Sequence, residues 1–274
     1  MSFADDTELV ERDGALFAEI SPRWDIWGPN GGYLAAIALR AAGLRVEGGQ
    51  RPAGISCQYL RRGRFGEARL EVETLKAGRS ASCFGVTLVQ EGERTLTAQV
   101  WTTAAPHRPD PQYVEIEMPA VAPPEALAPP PEDPGGFAFW RNFDLRIASP
   151  ERPGHGNPRG ARTERWLRFH GYRTGADRFL AQARSLLLID TLLWPAHWAR
   201  RAERLDYVGP SLDVAVWFHA PSGADEWLLI EAAAPLAADG LVYGEGRVWT
   251  KDGRLVASGG SHMLVMPVRP GFRP

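Results

Sequence analysis

The feature that most constrains this chain is a pattern stated twice. Cys57-Gln58-Tyr59-Leu60 opens a segment that runs through Glu67-Ala68-Arg69-Leu70-Glu71-Val72 and Glu91-Gly92-Glu93-Arg94 to Ala98. Val216-Trp217-Phe218-His219 opens a second, through Glu226-Trp227-Leu228-Leu229-Ile230 and Asp252-Gly253-Arg254 to Ala257. An apolar stretch of helical character precedes each, at 33–44 and at 180–193. One helix followed by antiparallel strands, given twice, predicts an α+β fold made of two copies of one module. At 274 residues the chain has room for two cores of roughly 120–140 residues each.

Local signals fill in the modules. Residues 17–20 read as a first strand and 23–29 as a loop carrying Trp24 and Trp27. Asn30 is a helix cap, followed by Gly31-Gly32 and by strong helix formers from 33 to 42. That helix is apolar all round with Arg40 as its one charge, which predicts burial on most sides, as under a wrapping sheet. Strands are predicted over 55–60, 68–75, 82–90 and 95–102, with Glu91-Gly92-Glu93 as a hairpin turn. In the second half, strands are predicted over 139–147 and 164–172, then a buried helix from 177 to 193, stopped or kinked at Pro195. Strands over 212–220, 226–233, 242–250 and 255–265 follow. Ten of the 23 prolines lie from Pro106 to Pro134, which predicts an extended, semi-rigid connection. The expected organisation is therefore a first module over 1–105, a linker over 106–136 and a second module over 137–274, with a Gly- and Pro-rich loop over 153–162.

Bulk composition excludes some functions. A net charge of −2 gives no general attraction to nucleic acid, so an anionic ligand needs local positive charge. Arg61, Arg62 and Arg64 form the densest basic cluster, either solvated surface or a phosphate contact. Cys57 and Cys83 are expected to be reduced thiols. Residues 1–12 hold no apolar signal core, and no apolar run approaches the ~20 residues of a membrane span. The expectation is a cytoplasmic protein.

Four places could carry chemistry. Asp190 ends the apolar run Ser185-Leu186-Leu187-Leu188-Ile189 within a helix, so it needs a partner, a raised pKa or a wet cavity. It is either a structural carboxylate or a general base. Ser211 follows a turn at Gly209-Pro210 and starts a strand; nearby Asp213 is a weaker candidate. Ser258-Gly259-Gly260-Ser261-His262 interrupts a strand, and a bulge there would aim Ser261 or His262 into a cavity; the other reading is a loose edge strand. Asn30, Gly31, Gly32 and Tyr33 begin the first helix, where backbone N–H groups can polarise a carbonyl oxygen or the glycines can serve packing alone. The chain lacks a Walker loop, a Rossmann fingerprint, His-Glu-x-x-His, Cys-x-x-Cys and Gly-x-Ser-x-Gly, and its histidines show no metal-ligand spacing.

Trp27-Gly28-Pro29-Asn30-Gly31-Gly32-Tyr33-Leu34-Ala35-Ala36, Asp213-Val214-Ala215-Val216-Trp217-Phe218-His219, Asp225-Glu226-Trp227-Leu228-Leu229 and Asp252-Gly253-Arg254-Leu255-Val256-Ala257-Ser258 together resemble the double-hotdog acyl-CoA thioesterases of type II, in the thioesterase-like superfamily. The resemblance covers both halves and leaves out the proline-rich linker and the loop over 153–162. It implies a double hotdog, with each long helix wrapped by an antiparallel sheet. It also implies hydrolysis of acyl-CoA to free acid and CoA, with no cofactor, metal or covalent intermediate. The family uses an aspartate on the second hotdog helix, a threonine opening the next strand and a glutamine late in the last strand. Asp190 is similar in position to the aspartate and Ser211 to the threonine, while Ser261 falls near the glutamine with His262 beside it. The alternatives are a non-catalytic acyl-CoA or fatty-acyl binding protein and, more remotely, an enoyl-CoA hydratase. By analogy with hotdog sheets that pair at their edges, a homodimer or higher oligomer is expected. Because only the first copy carries the glycine pair and only the second the acid, the duplication predicts one centre at the seam.

Overall fold

The computed structural model describes residues 2–104, 113–130, 136–149, 157–175, 177–200 and 206–268. The first half consists of α1 (Phe3–Asp6), β1 (Val10–Arg12), β2 (Ala15–Ile20), α2 (Gly31–Gly43), β3 (Arg51–Tyr59), β4 (Gly66–Lys76), β5 (Ala81–Gln90) and β6 (Glu93–Thr103). The second consists of β7 (Phe143–Ile147), β8 (Arg162–Phe169), α3 (Arg178–Ala199), β9 (Tyr207–Val208), β10 (Asp213–Phe218), β11 (Trp227–Ala238), β12 (Leu241–Thr250), β13 (Leu255–Leu264) and β14 (Met266–Pro267). Twelve strands form one sheet in the order β1-β2-β4-β5-β6-β3-β10-β13-β12-β11-β8-β7, and β9 pairs with β14 separately. From the β3–β10 junction outward the two halves read alike, which is the architecture expected of two hotdog modules joined edge to edge.

The repeat sets the equivalence of the copies, and the junction accommodates it. β3 and β10 are antiparallel, with Ser56 opposite Ala215, Gln58 opposite Asp213 and Gly54 opposite Trp217. Matching the repeated segments relates Cys57 to Val216 and Tyr59 to Phe218, which puts the pseudo-two-fold between the paired residues Ser56 and Ala215. The helix caps fix it for the helices. The Asn30 carboxamide oxygen accepts the Tyr33 N–H at 2.9 Å, and an Asp177 carboxylate oxygen accepts the Leu180 N–H at 2.8 Å. Gly32 thus corresponds to Phe179, and Gly43 to Asp190.

Both helices are buried almost entirely. In α2 every residue from Gly32 to Ala42 is buried except Arg40, and large side chains such as Ile37 and Leu39 each contribute roughly 1.5–3 kcal/mol by leaving water. Arg40 escapes an unpaired charge by donating to the Ala4 carbonyl at 2.8 Å and the Thr7 hydroxyl at 2.7 Å. The short α1 supplies these acceptors and was not visible as a helix in the sequence. It is fixed by a Ser2–Asp5 capping box and by Phe3 packing against Trp24 and Phe169.

Three sequence expectations change. α3 does not stop at Pro195 but continues to Ala199, because Leu192, Leu193 and Ala196 are fully buried and their packing outweighs one lost backbone bond. Residues 138–142 form a 3-10 turn rather than the start of a strand. There the Asn142 amide donates to the carbonyls of Phe139 and Arg23, and the Phe139 ring docks edge-on against Trp24. β11 runs past 233, with a register shift between Ala233 and Leu236 where Pro235 cannot donate to the ladder.

Part of the proline-rich segment has a packing role. Met118, Val121 and Leu127 cover Trp166, Leu229 and Trp249, and the Trp166 indole N–H donates to the Ala122 carbonyl at 3.0 Å. Leu228 and Ile230 belong to the main core, so alternation along β11 puts Leu229 on the face away from α3. Residues 105–112 and 131–135 of this segment, and 150–156 near the predicted second-half loop, lie outside the described residues.

Candidate active site

The site is the place where α2 begins against the middle of α3. Asn30 caps α2 and also donates its amide to the Thr191 hydroxyl at 3.1 Å, tying the helices together. A Cβ at Gly32 would stand 2.9 Å from the Leu187 α-carbon and 3.0 Å from its carbonyl oxygen. A Cβ at Gly31 would stand 3.0 Å from Asp190 Oδ2 and from the Tyr59 ring. The glycine pair therefore sets how closely the helices meet, and it places the Asp190 carboxylate at the positive end of α2.

Asp190 is only 6% exposed. It accepts hydrogen bonds from the Ser211 hydroxyl, the Gly32 N–H and the Tyr59 hydroxyl, the last at 3.3 Å. Burial pushes its carboxyl up, the three donors pull it part of the way back, and the Asp213 charge pushes it up again, leaving it at about 6. A carboxylate with that pKa, held by neutral donors in a desolvated place, is suited to take a proton from water near neutrality.

The structure brings together Asp190, Ser211, Gly31 and Gly32, with Asn30 bracing the crossing. The Gly32 N–H acts on the Asp190 carboxyl and pulls it down. Ser261 is buried in β13, and its hydroxyl turns back to the His262 carbonyl at 3.3 Å. His262 is exposed, because successive strand residues face opposite sides of the sheet. Its side chain lies against Tyr243 in a groove of about 380 Å³ on the outer face, together with Ile116, Trp217 and Arg247, and its N–H donates to an Asp213 carboxylate oxygen at 2.8 Å. Tyr33 also stands apart: its hydroxyl accepts the Ser21 N–H at 3.2 Å and donates to the Asp6 carbonyl, and its ring stacks on Trp24. We expect Ser211→Ala to lower kcat roughly tenfold or more, since a hydrogen bond to a charged group is lost. His262→Ala should stay within about twofold of wild type in the same steady-state assay.

Tyr59 is the residue that the sequence reading missed. The signal was there in the repeat: Tyr59 stands where the second copy has Phe218, so one hydroxyl distinguishes otherwise matching rings. The two-fold image of the site lacks these polar groups. Gly43 replaces Asp190, Pro52 replaces Ser211, and Phe179 replaces Gly32 and packs onto Gly43, where a Cβ would meet its ring at 2.7 Å. Among the described residues no group of three or more His, Cys, Asp or Glu is placed to hold a metal ion, and no helix is long and apolar enough to cross a membrane.

Two helix-wrapped modules with one buried carboxylate at their crossing define a double-hotdog protein with a single candidate hydrolytic centre. Residues 20–103 match the acyl-CoA thioesterase N-terminal domain and residues 123–264 the acyl-CoA thioesterase C-terminal domain. The chain belongs to the acyl-CoA thioesterase family. Human acyl-coenzyme A thioesterase 8 is 29% identical over 260 residues, covering 83% of this chain and 77% of that protein. The acyl-CoA thioesterase II TesB2 of Mycobacterium marinum superposes with a TM-score of 0.79 at 24% identity, covering 99% of this chain and 100% of that one. A hot dog fold protein of unknown function from Alicyclobacillus acidocaldarius gives 0.84 at 22% identity, covering 97% and 98%.

Proposed function

We propose that this chain hydrolyses acyl-CoA thioesters, with Asp190 as the general base. The observation that carries the proposal is the buried Asp190 carboxylate, aligned by Ser211, Tyr59 and the amino end of α2 and titrating at about 6. A water bonded to Asp190 attacks the thioester carbonyl carbon and gives its proton to the carboxylate. The tetrahedral intermediate collapses with cleavage of the C–S bond, and the CoA sulfur takes the proton back, leaving free acid and CoA. Arg61 and Arg64 are paired with Glu93 and Glu91, whereas the Arg62 guanidinium lies against Gly28, on the turn leading into Asn30. Arg62 is the member of that cluster placed to meet a CoA phosphate.

The test is thiol release from acyl-CoAs of graded chain length, followed with a thiol-trapping reagent across pH. Turnover that rises with pH through an acid limb near 6 is expected. Tight acyl-CoA binding without thiol release would overturn hydrolysis in favour of a binding protein.

A further inference from the structure

A buried carboxylate needs hydrogen-bond donors, and the donors that Asp190 receives come from both modules. Gly32 lies in the first turn of α2, and Ser211 lies two residues before β10, the next long strand after α3. The third donor is Tyr59, the last residue of β3, whose hydroxyl reaches Asp190 Oδ1 at 3.3 Å across the seam between modules. Its place depends on the absence of a side chain at Gly31, where a Cβ would stand 3.0 Å from the ring and 3.2 Å from the phenol oxygen. Burial and the Asp190 charge hold the phenol well above its usual range, so it stays protonated and remains a donor.

The other ionisable groups acting on Asp190 are Asp213 at the start of β10 and Cys57 on β3. Asp213 repels its charge, while the Cys57 thiol is pushed up by burial and by Asp190, and so stays neutral. The groups that lower the Asp190 carboxyl most are the three neutral donors Ser211, Gly32 and Tyr59. Tyr59 is the donor that the first module supplies from its sheet, and its two-fold counterpart, Phe218, carries no hydroxyl.

Resting on the hydrolytic reading above, we propose that Tyr59 is a positioning residue: its hydroxyl holds the Asp190 carboxylate ionised and oriented for proton transfer, so the first module completes a base that the second module carries. The test is Tyr59→Phe, which keeps the ring and removes one O–H. The acid limb of the kcat profile should move up by about one pH unit, because losing a donor to the charged form favours the protonated form. At pH 6.5 that shift lowers kcat about threefold, approaching tenfold below pH 5, while KM stays within about twofold. In an Asp190→Asn background the same change should have no further effect on kcat. Replacing Tyr59 with 3-fluorotyrosine, a stronger donor of nearly the same shape, should move the limb down, and it covers the case in which Tyr59→Phe fails to fold. The pH dependence of the thermal midpoint supplies a readout without substrate, since the window over which Asp190 titrates should shift with the limb. A limb and window unmoved in both variants would overturn the proposal even if kcat fell, because loss of packing alone does that. Absence of turnover in wild type would overturn hydrolysis, while the stability window would still test Tyr59.

Discussion

Asp190→Asn should lose about 10²–10⁴ in kcat on acyl-CoA, the usual contribution of a positioned general base, and should at the same time be more stable than wild type at pH 7. The activity loss follows from removing the proton acceptor while keeping nearly the same shape. The stability gain follows from linkage. The carboxyl titrates at about 6 in the folded protein, against 3.8 as its unperturbed value. Between those values the folded state holds a proton that the unfolded state has released. Stability therefore falls as pH rises through that window, and the full penalty is present above it. That penalty is roughly 3 kcal/mol for a shift of this size. The asparagine has no charge to bury but keeps only one oxygen acceptor for the three donors, so the net gain should be smaller, about 1–2 kcal/mol. Thiol release together with thermal melts from pH 4 to pH 8 would measure both. The wild-type midpoint should drop relative to the variant between about pH 4 and pH 6, then run parallel to it. A variant that is inactive and also less stable at pH 7 would mean that Asp190 is a structural carboxylate whose loss damages the fold.

How much of this was readable in the sequence follows from which forces act locally. The two helices and most of the strands come from composition and periodicity, and the segments that open the two repeats, at Cys57 and at Val216, are the strands β3 and β10 that the sheet pairs at its centre. Asp190 stood out as a candidate because an acid after an apolar run inside a helix has few physical excuses. Tyr59 did not, because a tyrosine ending a strand looks like any half-buried aromatic until the sheet carries it to α3. The adjacent pair Ser261 and His262 shows a different limit. Period-two alternation says they must part, but the glycines before them left open which one faces inward. The ladder decides it, with Ser261 buried and His262 on the outer face. Of the two outcomes expected at Pro195, a stop does not occur, because local propensity is weak against a core that encloses both flanks of α3.

Gly32→Ala should cost much more activity than stability. The added carbon meets backbone, the Leu187 α-carbon at 2.9 Å and its carbonyl oxygen at 3.0 Å, and backbone inside a packed helix cannot step aside. The start of α2 must lift from α3. Overpacking of this kind typically costs about 1–3 kcal/mol, partly offset by the better helix propensity of alanine, up to about 1 kcal/mol. The midpoint should fall by a few degrees. Activity should fall much further, by about 10² or more, because a displacement on the order of 1 Å parts the Gly32 N–H from Asp190 and shifts the carboxylate from its water. Gly31→Ala separates the two effects. Its new carbon meets the Asp190 carboxylate and the Tyr59 ring at 3.0 Å, side-chain atoms that can give by a few tenths of an ångström. Stability should change by less than about 1 kcal/mol while kcat drops roughly tenfold, since what yields is the base and its donor. The contrast is the informative measurement. If both alanines leave kcat intact, the crossing of α2 and α3 does not set the geometry of the site. If both simply unfold the protein, the glycines are there for packing alone.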